Sequence, residues 1–148
     1  MGSPYRAGTP SPRIFMPALR PHPHFDDRGT LDWHSNWSSA LQQAAREGKL
    51  VFIEFGREAC SQCRALVQSV VPRPEIAPLL QQGFVALAAD CDDPEPEVEA
   101  LAMQVPEASM LPFVIFADAR GRYLAGSSGA VSPRAFEATL RQLRAGPA

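Results

Sequence analysis

Six consecutive residues, Leu50-Val51-Phe52-Ile53-Glu54-Phe55, constrain this chain more than any others. In an extended segment, successive side chains point to opposite faces. Here both faces are apolar, with Glu54 as the one exception. A strand of that kind must be covered on both sides, which places it centrally in a sheet with a layer above and below. Gly56-Arg57-Glu58-Ala59 follows as a short turn. Cys60-Ser61-Gln62-Cys63 then opens a segment with apolar or thiol side chains at 63, 66, 67, 70 and 71, the spacing of a helix. The carboxyl end of a central strand is where sheets of this type place their sites. Two cysteines therefore stand where chemistry is expected.

The remainder of the chain fits the same layered plan. The spacing predicts a helix over 32–48, capped by Ser35 or Asn36, with Trp37, Ala40, Leu41 and Ala44 on one face and Gly48 as its stop. After Pro72 and Pro74, a helical segment runs from Pro74 to Leu80. Residues 84–89 read as a second buried strand, ending in Asp90-Cys91-Asp92-Asp93. A helix over 98–103 and a strand over 113–116, entered through Leu111-Pro112, come next. Asp118-Ala119-Arg120-Gly121 turns the chain into a returning strand at 122–125. Ser132-Pro133 starts a last helix with Phe136, Leu140 and Leu143 on its core face. Early strands separated by helices demand parallel crossovers, and the final hairpin is antiparallel. The expectation is an α/β three-layer α/β/α sandwich with a mixed central sheet.

Residues 1–31 read as a Pro-rich irregular arm, and residues 32–148 as the domain. Pro4, Pro10, Pro12, Pro17, Pro21 and Pro23 break up the arm, which has little apolar periodicity. Ile14, Phe15, Met16 and Leu19 offer apolar surface to dock on the domain or on a neighbouring chain. His22-Pro23-His24 is suggestive of a metal site, but nothing nearby completes a coordination sphere, and an extended linker is the expected reading.

A net charge of -2 gives no basic field for nucleic acid or an acidic membrane surface. No run is long and apolar enough to span a bilayer. Residues 1–13 lack the apolar core of a secretory leader, so a cytoplasmic location is expected from the chain as it stands, and a periplasmic one if a leader preceded it. Three cysteines in 148 residues argue for a reactive pair and one bystander rather than a disulfide scaffold.

Cys60 is the candidate nucleophile. At a helix start its thiolate meets unpaired backbone N–H groups, surroundings that can lower a thiol from about 8.5 to roughly 3.5–7.5. Arg57 and Arg64 add to that effect and Glu58 opposes it. Cys63, three residues on, lies on the same helix face and is the candidate resolving thiol. Glu54 is costly inside an apolar strand unless it is partnered or protonated. Cys91 sits among carboxylates that disfavour its thiolate and reads as the bystander.

The order of elements, Cys60-Ser61-Gln62-Cys63 at a helix start, and Leu111-Pro112 opening a strand together resemble the thioredoxin superfamily over residues 32–145. Within it the chain looks most like a bacterial subgroup with an added amino-terminal helix, of which the carboxy-terminal domain of the transmembrane disulfide reductase is a member. The resemblance implies a thiol–disulfide oxidoreductase acting on protein disulfides or dithiols, with no cofactor. It implies that Glu54 accepts the Cys63 proton during resolution. It also implies a cis Pro112 beside the thiols, with the Leu111 backbone pairing to an extended substrate. Thioredoxin carries Trp before the first cysteine and Gly-Pro between the two, whereas this chain has Ala59 and Ser61-Gln62. The substrate-facing surface at Ala59, Ser61, Gln62, Leu111 and Pro112 is therefore different. The residues between the cysteines tune the potential, which decides between reduction, oxidation and isomerisation. Two other readings stand beside this one: a non-catalytic binding module on the same fold, and handling of a soft ion such as Cu(I) by the two thiolates.

Overall fold

In the computed structural model, which describes residues 19–146, the elements run β1 (Trp33–His34), α1 (Trp37–Glu47), β2 (Leu50–Gly56), α2 (Ser61–Ala65), α3 (Ala77–Gly83), β3 (Phe84–Asp90), α4 (Pro96–Ala102), β4 (Phe113–Ala117), β5 (Tyr123–Ser128) and α5 (Pro133–Ala145). The sheet order is β1-β3-β2-β4-β5, with β2 in the middle as its two apolar faces require. β1, β3 and β2 are parallel, while β4 and β5 are antiparallel to their neighbours. Alternation along β2 divides the core. Phe52 packs with Cys63, Leu66, Phe116, Phe136 and Leu140 on one face. Val51 and Ile53 pack with Trp37, Ala40, Val98 and Leu101 on the other. The result is the expected α/β sandwich with a mixed sheet. No helix among the described residues is long and apolar enough to cross a membrane.

Three helical segments differ from their sequence expectation. The segment 32–48 is not one helix, because Trp33 and His34 pair with Ala86 and Leu87 on β3. The helix begins only after Asn36, whose extended backbone and side-chain oxygen cap it through the Ser39 N–H at 2.9 Å. It stops at Gly48, left-handed at φ 66°. The helix after Cys60 is α-helical only to Ala65 and then widens into a π-helical turn, Leu66–Val70, in which Val71 N–H donates to the Leu66 carbonyl at 3.0 Å. Within and just after this turn, Leu66, Val67, Val70 and Val71 are all buried. Pro74 does not start a helix either; the next one begins at Ala77.

The larger difference is at the amino-terminal side. Residues 20–31 are irregular, as their prolines suggest, but they are not a free linker: Phe25, Leu31 and the following Trp33 belong to the core, and His22 and Asp27 are buried with them. Asp27 organises the loop. Its carboxylate accepts from the Thr30 and Leu31 N–H groups at 3.2 and 3.0 Å and from the Trp33 indole at 2.9 Å, which offsets the cost of burying it. Arg28 and Gly29 take left-handed conformations at φ 61° and 70° to close the turn. Arg20 grips Asp32 with both ends of its guanidinium, at 2.8 and 2.9 Å, and holds that carboxyl below its usual range. Leu19 stays half exposed rather than docking. Ile14, Phe15 and Met16 lie outside the described residues.

Candidate active site

The strand-to-helix turn after β2 brings the two cysteines together. Cys60 has extended backbone and caps α2 with its own sulfur, which accepts the Cys63 N–H at 3.1 Å. The cysteines are joined in a disulfide, their Cα atoms 5.3 Å apart. They differ sharply in access: Cys60 is half-buried, whereas Cys63 has no exposed surface. An incoming partner can meet only the first sulfur. Ala59 and Ser61 are exposed around it and Gln62 is half-buried. The peptide between Leu111 and Pro112 is cis. Leu111 packs at the edge of the same core cluster as Cys60, and Met110 beside it is more than half exposed. Arg57 turns away to Asp92, at 2.9 Å, and Arg64 lies over the Phe25 ring, 5.7 Å from its centroid.

Glu54 is buried on the face of β2 that carries Phe52 and Cys63, opposite Ala88 and Val114. Its two oxygens are used differently. Oε1 is 2.7 Å from His22 Nε2, and both side chains are almost wholly buried. Oε2 lies by the disulfide. A Cβ built on Gly56 would sit 2.6 Å from Glu54 Oε2 and 2.6 Å from Cys63 Sγ, so these two atoms are no farther apart than twice that distance. Gly56 is therefore more than a turn residue: a side chain there would intrude on both the acid and the sulfur.

His22 is the residue that sequence reasoning set aside. Its Nδ1 accepts from the His24 and Phe25 N–H groups, at 3.1 and 3.2 Å. The proton therefore belongs on Nε2, which donates to the Glu54 carboxylate. The ring stacks on Phe25 with centroids 5.3 Å apart and meets Trp33 edge-on at 4.8 Å. A sequence signal existed, since a carboxylate inside β2 demanded a partner and the chain has only three histidines. A cleft of about 260 Å³ also reaches Glu54 and Gly56, bordered by His24, Asp90, Asp93 and Glu95.

Cys91 stands apart as a free thiol, half-buried after β3. Burial pushes its thiol up from the usual range, Arg57 opposes this, and Asp92 and Asp90 add to it. With Cys60–Cys63 oxidised, alkylation of Cys91 by iodoacetamide at pH 8 is expected to be slower than that of cysteine in an unfolded peptide. An equal or faster rate would contradict the bystander reading.

Comparison with known proteins bears on the family and the fold. A family model described as thioredoxin-like matches residues 32–119. The spermatogenesis-associated protein 20 of Rattus norvegicus is 27% identical over 93 residues; that stretch is 63% of this chain but only 11% of the relative. Among solved structures, a thioredoxin from Thermus thermophilus superposes with a TM-score of 0.63 at 25% identity, covering 78% of this chain and 88% of that one. A putative disulphide-isomerase from Bacteroides thetaiotaomicron gives a TM-score of 0.63 at 21% identity, over 80% and 94% of the two chains, a likeness of fold.

Proposed function

The chain belongs to the thioredoxin-like family, and from that premise we propose that it is a thiol–disulfide oxidoreductase acting on protein disulfides through Cys60 and Cys63. The observation that supports this most is the division of labour at the disulfide. One sulfur is within reach of a partner, the other is sealed in the core, and a buried carboxylate oxygen shares a gap with the sealed one. That asymmetry is what a two-step exchange needs.

In the reducing direction the Cys60 thiolate attacks one sulfur of a partner disulfide. A mixed disulfide forms, and the partner's other sulfur leaves as a thiolate. Glu54 takes the proton from the Cys63 thiol at Oε2. The Cys63 thiolate attacks the Cys60 sulfur, the Cys60–Cys63 bond forms, and the partner's second sulfur leaves. Two electrons have passed from the dithiol to the partner, and an external dithiol restores the reduced pair. The oxidising direction is the reverse. Ala59, Ser61, Gln62, Leu111 and Pro112 form the surface on which the partner rests, with the Leu111 backbone pairing to an extended segment.

The test is dithiol-dependent reduction of insulin. The protein is expected to accelerate it above the rate with dithiothreitol alone. No acceleration, together with partner binding that survives Cys60→Ala, would favour a binding module instead.

A further inference from the structure

We infer that His22 is a positioning residue of the redox site: it fixes the Glu54 carboxylate by its Oε1 so that Oε2 is presented to Cys63. The inference rests on the exchange mechanism above. It makes the irregular segment before β1 a working part of the site.

His22 cannot slide or rotate. Two backbone N–H groups hold Nδ1, Phe25 covers one face of the ring, and Trp33 abuts it edge-on. The loop carrying it is itself closed, by Asp27 inside and by the Arg20–Asp32 pair at its mouth. The single free direction of the imidazole, Nε2–H, points at Glu54 Oε1, 2.7 Å away. A carboxylate gripped by one oxygen has a fixed plane. Its second oxygen then lies at the Gly56 gap, together with Cys63 Sγ.

His22 does not take the proton in this scheme. Protonating Nδ1 would set its N–H against the N–H groups of His24 and Phe25. When Glu54 receives the Cys63 proton on Oε2, His22 Nε2–H continues to donate to Oε1, so the acid form is held in the same place. The proton then leaves Oε2 for the cleft that reaches Glu54. The charged and titratable groups facing Glu54 are His22 from the amino-terminal loop, Cys63 from α2, and His24, Asp90, Asp93 and Glu95 around that cleft.

The two steps separate experimentally with 5,5′-dithiobis(2-nitrobenzoate) on the reduced full-length protein in a Cys91→Ala background. Attack by Cys60 releases the first thionitrobenzoate, and resolution by Cys63 releases the second. His22→Phe keeps an aromatic ring and removes the donor. It is expected to slow the second phase by about tenfold or more, as misplacing a catalytic group does, with the first phase within about twofold. The pH profile of the second phase should move while that of the first stays. His22→Gln, which restores an N–H donor, should recover most of the second-phase rate. In a Glu54→Gln background, changing His22 should have no further effect on it. If His22→Phe does not fold, His22→Gln against Glu54→Gln carries the same comparison: near-native resolution in the first and slow resolution in the second support the role. Equal slowing of both phases, no slowing, or additive effects of His22 and Glu54 changes would overturn it. A wild-type protein that never releases the second equivalent would instead overturn the exchange mechanism itself.

Discussion

A Cys63→Ser variant is expected to attack a partner disulfide and then stall. Cys60 keeps its exposure and its place at the start of α2, so the first bond still forms. What is lost is an attacking sulfur held three residues away on the same turn. Well-oriented intramolecular groups act as if present at very high concentration, so turnover should fall by at least about 10²-fold. The missing product should accumulate as a mixed disulfide. On a non-reducing gel the variant should carry a partner or model peptide that an added dithiol releases, and the Cys60→Ser/Cys63→Ser double variant should carry none. Free turnover by Cys63→Ser, or adducts through Cys91, would contradict the assigned roles.

The second large effect is expected at a residue with no reactive atom. In Gly56→Ala the new Cβ would lie 2.6 Å from both Cys63 Sγ and Glu54 Oε2, closer than packed atoms approach. Cys63 is fully buried with its sulfur bonded to Cys60, and His22 holds Glu54 by its other oxygen, so the new Cβ must displace one of them. Overpacking of this kind costs about 1–3 kcal/mol, which denaturant unfolding would register. The displacement also separates the acid from the sulfur. Shifts of about 1 Å at a reacting centre can cost up to about 10²-fold in rate, so second-phase thionitrobenzoate release should slow by more than the stability loss alone suggests. A stable Gly56→Ala protein with wild-type resolution would show that Glu54 and Cys63 do not work across this gap.

Much of this architecture was legible because its causes are local. Leu50–Phe55 needs cover on both faces whatever surrounds it, and β2 is central. Cys60 and Cys63 are neighbours by spacing alone. Asn36, Gly48 and Ser132 cap their helices through contacts a few residues long. The misreadings are the features whose partners are remote. Trp33 and His34 become a strand only by pairing with Ala86 and Leu87. His22 sits 32 positions from Glu54, in a stretch whose prolines read as a linker. The aromatic residues that clamp it, Phe25 and Trp33, follow no periodicity that would point to it. Gly56 reads as a turn residue because it ends the apolar run and polar Arg57-Glu58 follow it. Its importance lies in what a Cβ would strike, and no one-dimensional pattern records that.

If Cys60 and Cys63 form a reversible couple rather than a structural crosslink, as proposed, their potential shows it. The reduction potential of the pair can be read by alkylation and mass analysis after equilibration in defined dithiol/disulfide buffers. One two-electron transition is expected, about 30 mV per decade, with a midpoint between roughly -270 and -120 mV. Its place in that range separates a reductant from an oxidant. A midpoint below about -300 mV, where structural disulfides lie, would mark the pair as a structural crosslink and overturn its redox role.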